Sequence, residues 1–161
     1  MAEQEQAAEN QLAISKIYVK DFSFESPQAP LVFKRADWKP QTNLNLRSSH
    51  SKVEDGVHEV VLTITVEAKE DETTLFLVEL QQAGLFEIIG YEGEELAAIV
   101  GSFCPNILFP YARSHIASTI QKGGFPEFVL QPINFDALYM QSKQQLQQQQ
   151  AEAVDAPAET H

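Results

Sequence analysis

The order of patterns along the chain predicts an α+β domain: a four-stranded antiparallel sheet built first, with C-terminal helices on one of its faces. Three observations carry this. Segments before Glu92 alternate apolar and polar residues with period 2. Segments after it repeat at helical spacing, and a length of 161 residues suits one core, not two.

The elements follow in order. Ile14 to Glu25, His58 to Ala68 and Thr73 to Gln82 suit strands. Asp55-Gly56 is a turn that opens the second of these, and EAKEDETT is a charged loop between antiparallel neighbours. The stretch holding Pro27, Pro30, Trp38 and Pro40 reads as a crossover loop, ending in a short strand or strand extension around Leu44 and Leu46. Ala83-Gly84 reads as a turn or bulge before a fourth short strand, LFEIIG. From Glu94, the spacing of Leu96, Ile99, Val100 and Phe103 fits one face of a helix, which Pro105 punctuates. Tyr111 to Lys122 forms a second helix, with Pro110 before it and Gly123-Gly124 after it. Asn134 suits the N-cap of a third helix, NFDALYMQSKQQL.

Composition sets the domain limits and excludes classes of partner. Residues 1–11 read as a disordered acidic tail, 12–143 as a single domain and 144–161 as a glutamine-rich, acidic flexible tail, with QSKQQLQQQQ a solvated helix end. Lys+Arg 11 against Asp+Glu 23 leaves a net charge of -12, which disfavours nucleic acid and anionic membrane surfaces and favours a basic partner. No apolar run approaches the roughly 20 residues of a membrane span. The acidic start MAEQEQAAENQ is unlike a secretory signal, so a cytoplasmic location is expected.

Little in the sequence points to catalysis. A single cysteine, Cys104, excludes an internal disulfide and CxxC chemistry, and its apolar surroundings suit a small buried hydrophobe. His50 and His58 in HSKVEDGVH lack metal-motif spacing, and His115 reads as a helix-surface residue. Phosphate loops, GxSxG elbows and HExxH are absent. No cofactor or metal and no enzymatic activity are expected.

The strand faces are more informative. Val60, Leu62, Ile64 and Val66 share a core face. On the next strand Leu75 and Leu77 sit beside Glu79 and Gln81 on the opposite face. Leucine beside carboxylate on an outer face suits an interaction surface as well as it suits scattered surface leucine. Asp21, Ser23 and Glu25 share a face, with the two carboxylates about 13 Å apart, too wide for an acid/base pair and consistent with a tiled acidic surface.

CPNILFPYAR, from Cys104 to Arg113, and PINFDALY, from Pro132 to Tyr139, resemble the SecB family of protein-export chaperones. IYVKDFSFE, Trp38 and LVELQQAG add to the resemblance, which spans Ile17 to Tyr139. It implies a cytoplasmic homotetramer, a dimer of dimers, that binds unfolded precursors without nucleotide and passes them to the SecA motor through its basic, zinc-bearing tail. Carried over by motif, Asp21, Glu25, Leu77 and Glu79 match the SecA-binding surface. Val78, Leu80 and Gln82 match positions that affect tetramer assembly. Trp38, Phe103, Pro105, Phe109 and Tyr111 are candidates for the client groove. An adaptor that uses the acidic face to recruit a basic partner is the alternative, with a small-molecule-binding domain third.

Overall fold

A computed structural model describes residues 9–35 and 37–155. Most of the N-terminal stretch read as a tail, and the last six residues of the C-terminal one, lie outside the described residues. Four strands, β1 (Gln11–Glu25), β2 (Gln41–Glu54), β3 (Val57–Glu70) and β4 (Thr73–Ile89), form one antiparallel sheet in the order β1-β4-β3-β2. Helices α1 (Gly93–Ala98), α2 (Cys104–Lys122) and α3 (Phe135–Asp155) follow. The architecture is the α+β arrangement that the order of patterns predicts.

The hairpin turns are two residues each. Glu54 pairs with Val57 across Asp55-Gly56, and Gly56 has φ 75°, the left-handed geometry that an Asp-Gly hairpin turn needs. Glu70 pairs with Thr73 across Asp71-Glu72. Between the sheet edges, residues 26–40 cross from β1 to β2 and contain one short 3₁₀ turn, Leu31–Lys34.

Three expectations are corrected. The end of the crossover is a full 14-residue strand, β2, whose side chains are almost all exposed. Its sequence, QTNLNLRSSHSKVE, is polar because β2 is an edge strand with only Leu46 half-buried, so it lacks the apolar face that marks a strand. Ala83-Gly84 is neither turn nor bulge: β4 runs unbroken for 17 residues, pairing Ala83 with Val61 and Gly84 with Val60. The irregularities lie elsewhere: in β1, between Ile14 and Lys16 and between Val19 and Asp21, near the end of β2, between Lys52 and Glu54, and against the start of β4, where Leu75 is skipped between Phe76 and Thr74. Gly84 has a packing reason instead, since a Cβ there would meet Phe86 Cε2 at 2.7 Å and Leu108 Cδ2 at 3.0 Å.

The third correction concerns the prolines. Pro105 does not end a helix, and Pro110 lies inside one: Gly93 to Lys122 is continuous, with a π-helical segment, Ile99–Phe103, between α1 and α2. A proline ring clashes with the carbonyl four residues before it. For Pro105 that residue is Gly101, inside the wider π turn, so the chain relieves the clash without breaking. At 30 residues this helix also reaches the length and composition of a membrane span, contrary to the expectation from short apolar runs. Its buried residues, among them Leu108, Ala112, Ile116 and Ile120, belong to the hydrophobic core, as a core helix requires.

The core lies between the sheet and α2. Val60, Leu62, Ile64 and Val66 of β3 and Val78 and Leu80 of β4 are fully buried with Leu108, Ile116 and Ile120. Each such aliphatic side chain contributes about 1.5–3 kcal/mol by leaving water. Helix α3 begins where Asn134 Oδ1 accepts from Ala137 N at 3.0 Å, the expected N-cap. It continues to Asp155, well past the end of the predicted segment, with residues 144–155 exposed throughout.

Candidate docking and client-binding surfaces

The sheet has two unlike faces. Even-numbered residues of β3 and β4 face the helices. The odd-numbered set, Thr63, Thr65 and Glu67 on β3 with Leu77, Glu79 and Gln81 on β4, faces outward. The register of β1 against β4 completes the outer face, pairing Asp21 with Gln81, Ser23 with Glu79 and Glu25 with Leu77. Asp21, Glu25, Leu77 and Glu79 are therefore neighbours on one surface, with the three carboxylate residues exposed and Leu77 half-buried.

Charge is unevenly compensated across that face. Toward the other end of β1, Lys20 Nζ lies 2.7 Å from Glu59 Oε1, and Tyr18 donates its hydroxyl to Glu59. Those two hydrogen bonds hold the Glu59 carboxyl below the usual range, while burial and the Glu59 contact push Tyr18 up to about 12. Glu67 contacts Lys69 at 3.4 Å and accepts from Thr74 Oγ1 at 2.9 Å. Among the described residues, Asp21, Glu25 and Glu79 are in no ion pair. An uncompensated acidic patch with one leucine at its end is what remains.

Val78, Leu80 and Gln82 occupy the opposite face. Val78 and Leu80 are 0% exposed and Gln82 is 3% exposed, covered within their own chain. Gln82 Nε2 donates to the Tyr18 carbonyl at 3.1 Å, tying β4 to the irregular stretch of β1. They touch no free surface, so any effect on assembly passes through α2 and β1.

The five groove candidates do not line a single groove. Trp38 packs on Phe125 at 5.0 Å between ring centroids, in an aromatic cluster with Phe33, Phe76 and Phe24 just beyond the C-terminus of α2. Phe103 lies just before the other end of α2, about 28 Å away at 1.5 Å per residue. It is exposed and borders a hollow lined by Ile99, Ser102, Tyr139 and Met140. Tyr111 is exposed beside Ile17, Val19 and Ser118. Pro105 and Phe109 are buried, Phe109 against Phe135 at 5.6 Å and under the Arg113 guanidinium at 5.9 Å. Sequence reasoning missed Phe33 and Phe125 as partners of Trp38; Phe33 shares its proline-rich segment, a signal that was there to use. A further cleft of about 480 Å³ separates β2 from α3, lined by Leu46, Val100, Phe135, Leu138 and Tyr139 among others.

The residues set aside as inert sit as follows. Cys104 is fully buried, and burial pushes its thiol up to about 12, so it is a protonated core residue. His115 is not a surface residue: it is half-buried, meets Phe22 edge to face at 4.6 Å, and its Nε2 has no partner. Among the described residues, no group of three acidic, histidine or cysteine side chains is placed to hold a metal ion.

The family description "Preprotein translocase subunit SecB" matches residues 4–146. The chain belongs to the SecB family. Protein-export protein SecB of Marinobacter nauticus is 50% identical over 157 residues, covering 94% of this chain and 94% of that protein. The SecB of Nitrosococcus oceani is 52% identical over 144 residues, covering 89% and 88%. In fold, the chain resembles the Mycobacterium tuberculosis Rv1957 SecB-like chaperone, solved in complex with a ChAD peptide from the Rv1956 HigA1 antitoxin. The TM-score is 0.61 and the identity 17%, over 76% of this chain and 87% of that one. Chaperone and protein-export roles are those of the SecB family, and the resemblance drawn from CPNILFPYAR and PINFDALY holds over nearly the whole chain.

Proposed function

We propose that this SecB-family chain is a nucleotide-independent chaperone of the cytoplasm. It binds unfolded precursor polypeptides, keeps them competent for translocation and delivers them to SecA, with no enzymatic step and no cofactor. The observation that carries the reading is the common outward face of Asp21, Glu25, Leu77 and Glu79, its carboxylates in no ion pair and Leu77 at one end, beside Glu25. Such a surface suits a basic tail: charge steers the encounter and Leu77 offers an apolar contact. Client binding needs no fuel, since a binder of the unfolded chain slows folding by mass action. Modest affinity at separated aromatic sites, such as the cluster around Phe125 beneath Trp38 and Phe33 and the surface around Phe103, is multiplied when one client spans several. The peptide carried by the Mycobacterium tuberculosis SecB-like chaperone is in keeping with this.

The working unit is proposed to be a homotetramer, a dimer of dimers, with outer sheet faces left open. Both strands at the sheet edges, β1 and β2, are available for pairing, and Ile14, Val19 and Tyr111 expose apolar surface at the β1 side. Val78, Leu80 and Gln82 then act by setting how α2 lies on the sheet.

The decisive experiment follows the refolding of a denatured client with and without the protein. A delay is expected, and Glu79→Lys is expected to retain it while losing binding to the SecA tail. An unchanged refolding rate, with tail binding intact, would point instead to an adaptor that merely recruits a basic partner. Tail binding that survives Glu79→Lys would remove the docking assignment.

A further inference from the structure

Residues 26–40 join the two edges of the sheet, yet they are attached to it sparingly. The loop and turn backbone hydrogen bonds of this segment are internal: Ala29 N to Ser26 O, Val32 N to Gln28 O, Phe33 N to Pro30 O and Arg35 N to Val32 O. Among the described residues, its one side-chain polar tie to the body is Arg35 with Glu70, at the β3–β4 turn. Arg35 Nη2 donates to Glu70 Oε1 at 2.7 Å, and Nη1 lies 2.5 Å from Oε2. Beside the tie is a hollow of about 340 Å³ lined by Leu31, Val32, Asp71, Thr73 and Leu75 as well as the pair itself, so the segment does not seal against the turn.

What the segment covers is aromatic. Phe33 and Trp38 lie on Phe125 at 5.5 and 5.0 Å, and Phe125 in turn meets Phe76 at 4.8 Å and Phe24 at 6.4 Å. Gly124, with φ 89°, makes room for this: a Cβ there would meet Phe33 Cε1 at 2.8 Å. Closure also carries a cost, because Trp38 Nε1 and Ser26 Oγ are buried without hydrogen-bond partners. The closed arrangement therefore combines apolar attraction, two unsatisfied donors and one partly solvated ion pair.

We propose that residues 26–40 form a self-occluding strap, latched by Arg35–Glu70, whose release frees Phe24, Phe76 and Phe125 for apolar side chains of an extended polypeptide. This rests on the client-binding reading above and adds regulation to it. Phe33 and Trp38 occupy the place that client side chains take, and the fraction of molecules with the strap released sets the apparent association rate.

The full-length protein, its Glu70→Gln and Arg35→Gln variants and the exchanged pair Arg35→Glu/Glu70→Arg test this with two readouts. The first is acrylamide quenching of Trp38, the chain's single tryptophan. The second is the association rate of a disulfide-reduced, permanently unfolded polypeptide. Both single variants are expected to raise quenching and to speed association about two- to five-fold, the scale of a partly exposed ion pair, and the exchanged pair to return both toward the parent. Parent-like quenching and rate in the single variants overturn the latch, as does an exchanged pair that behaves like the single variants. If the parent itself binds no unfolded polypeptide, the client-binding reading falls first, and the quenching comparison still decides whether the strap is latched.

Discussion

His58 is a buried residue with cationic neighbours. It lies opposite Lys52 in the β2–β3 pairing, is only 8% exposed, and its Nδ1 has no hydrogen-bond partner. Burial, then His50 and Lys52, hold its pKa below the ordinary 6.5. With the folded pKa lowered, the unfolded chain takes up the proton first as pH falls. Stability from this site is therefore complete above about pH 6.5 and is lost on acidification toward the folded pKa. His58→Gln is expected to flatten the fall in urea midpoint between about pH 7 and 5.5; an unchanged slope would assign the acid sensitivity to other groups. Within HSKVEDGVH only His50 looks loop-borne in the sequence, because β2 carries no apolar face that marks it as a strand. Where local chemistry decides alone, as at Asn134 and Asp55-Gly56, single residues were legible.

Strands with one clean apolar face are legible where that face is, and elements whose extent depends on neighbours are not. β3 shows its alternation directly, whereas β2 is polar on both faces and is held by its ladder to β3. The α1–α2 helix survives Pro105 and Pro110 because burial of its apolar stripe outweighs the local cost of proline and the π segment absorbs one clash. That same segment receives α3. A Cβ at Gly101 would meet Tyr139 Cδ2 at 2.7 Å, and Ser102 donates its hydroxyl to Asp136. Gly101→Ala is expected to cost about 1–3 kcal/mol by overpacking and to loosen α3 specifically. Hydrogen exchange should then quicken at residues 135–145 while the β3 and β4 amides stay protected, and a uniform change along the chain would place the damage elsewhere.

At the scale of the molecule, strand alternation is enough to locate the outer face from Leu77 to Gln81, but Leu75, expected beside them, is 2% exposed in the core, because a register shift against β3 breaks the parity of β4 there. The positions of the groove candidates were not legible, because distance along a 19-residue helix and the packing of a loop on its far end are tertiary facts. Assembly belongs to this scale too. Edge strands and the exposed Ile14, Val19 and Tyr111 lead to the expectation that native mass spectrometry at micromolar concentration finds four copies together. A monomer alone under those conditions would leave the proposed tetramer without support.

The strand order has one more consequence, in time rather than space. β2, β3 and β4 follow one another as a meander of two-residue turns, and each can zip onto its predecessor as it emerges. β1 is made first but pairs only with β4, so Gln11 cannot find Ile89 until nearly eighty further residues exist. Through most of the synthesis of this stretch, a protein of an export family carries a strand whose partner has not yet been made.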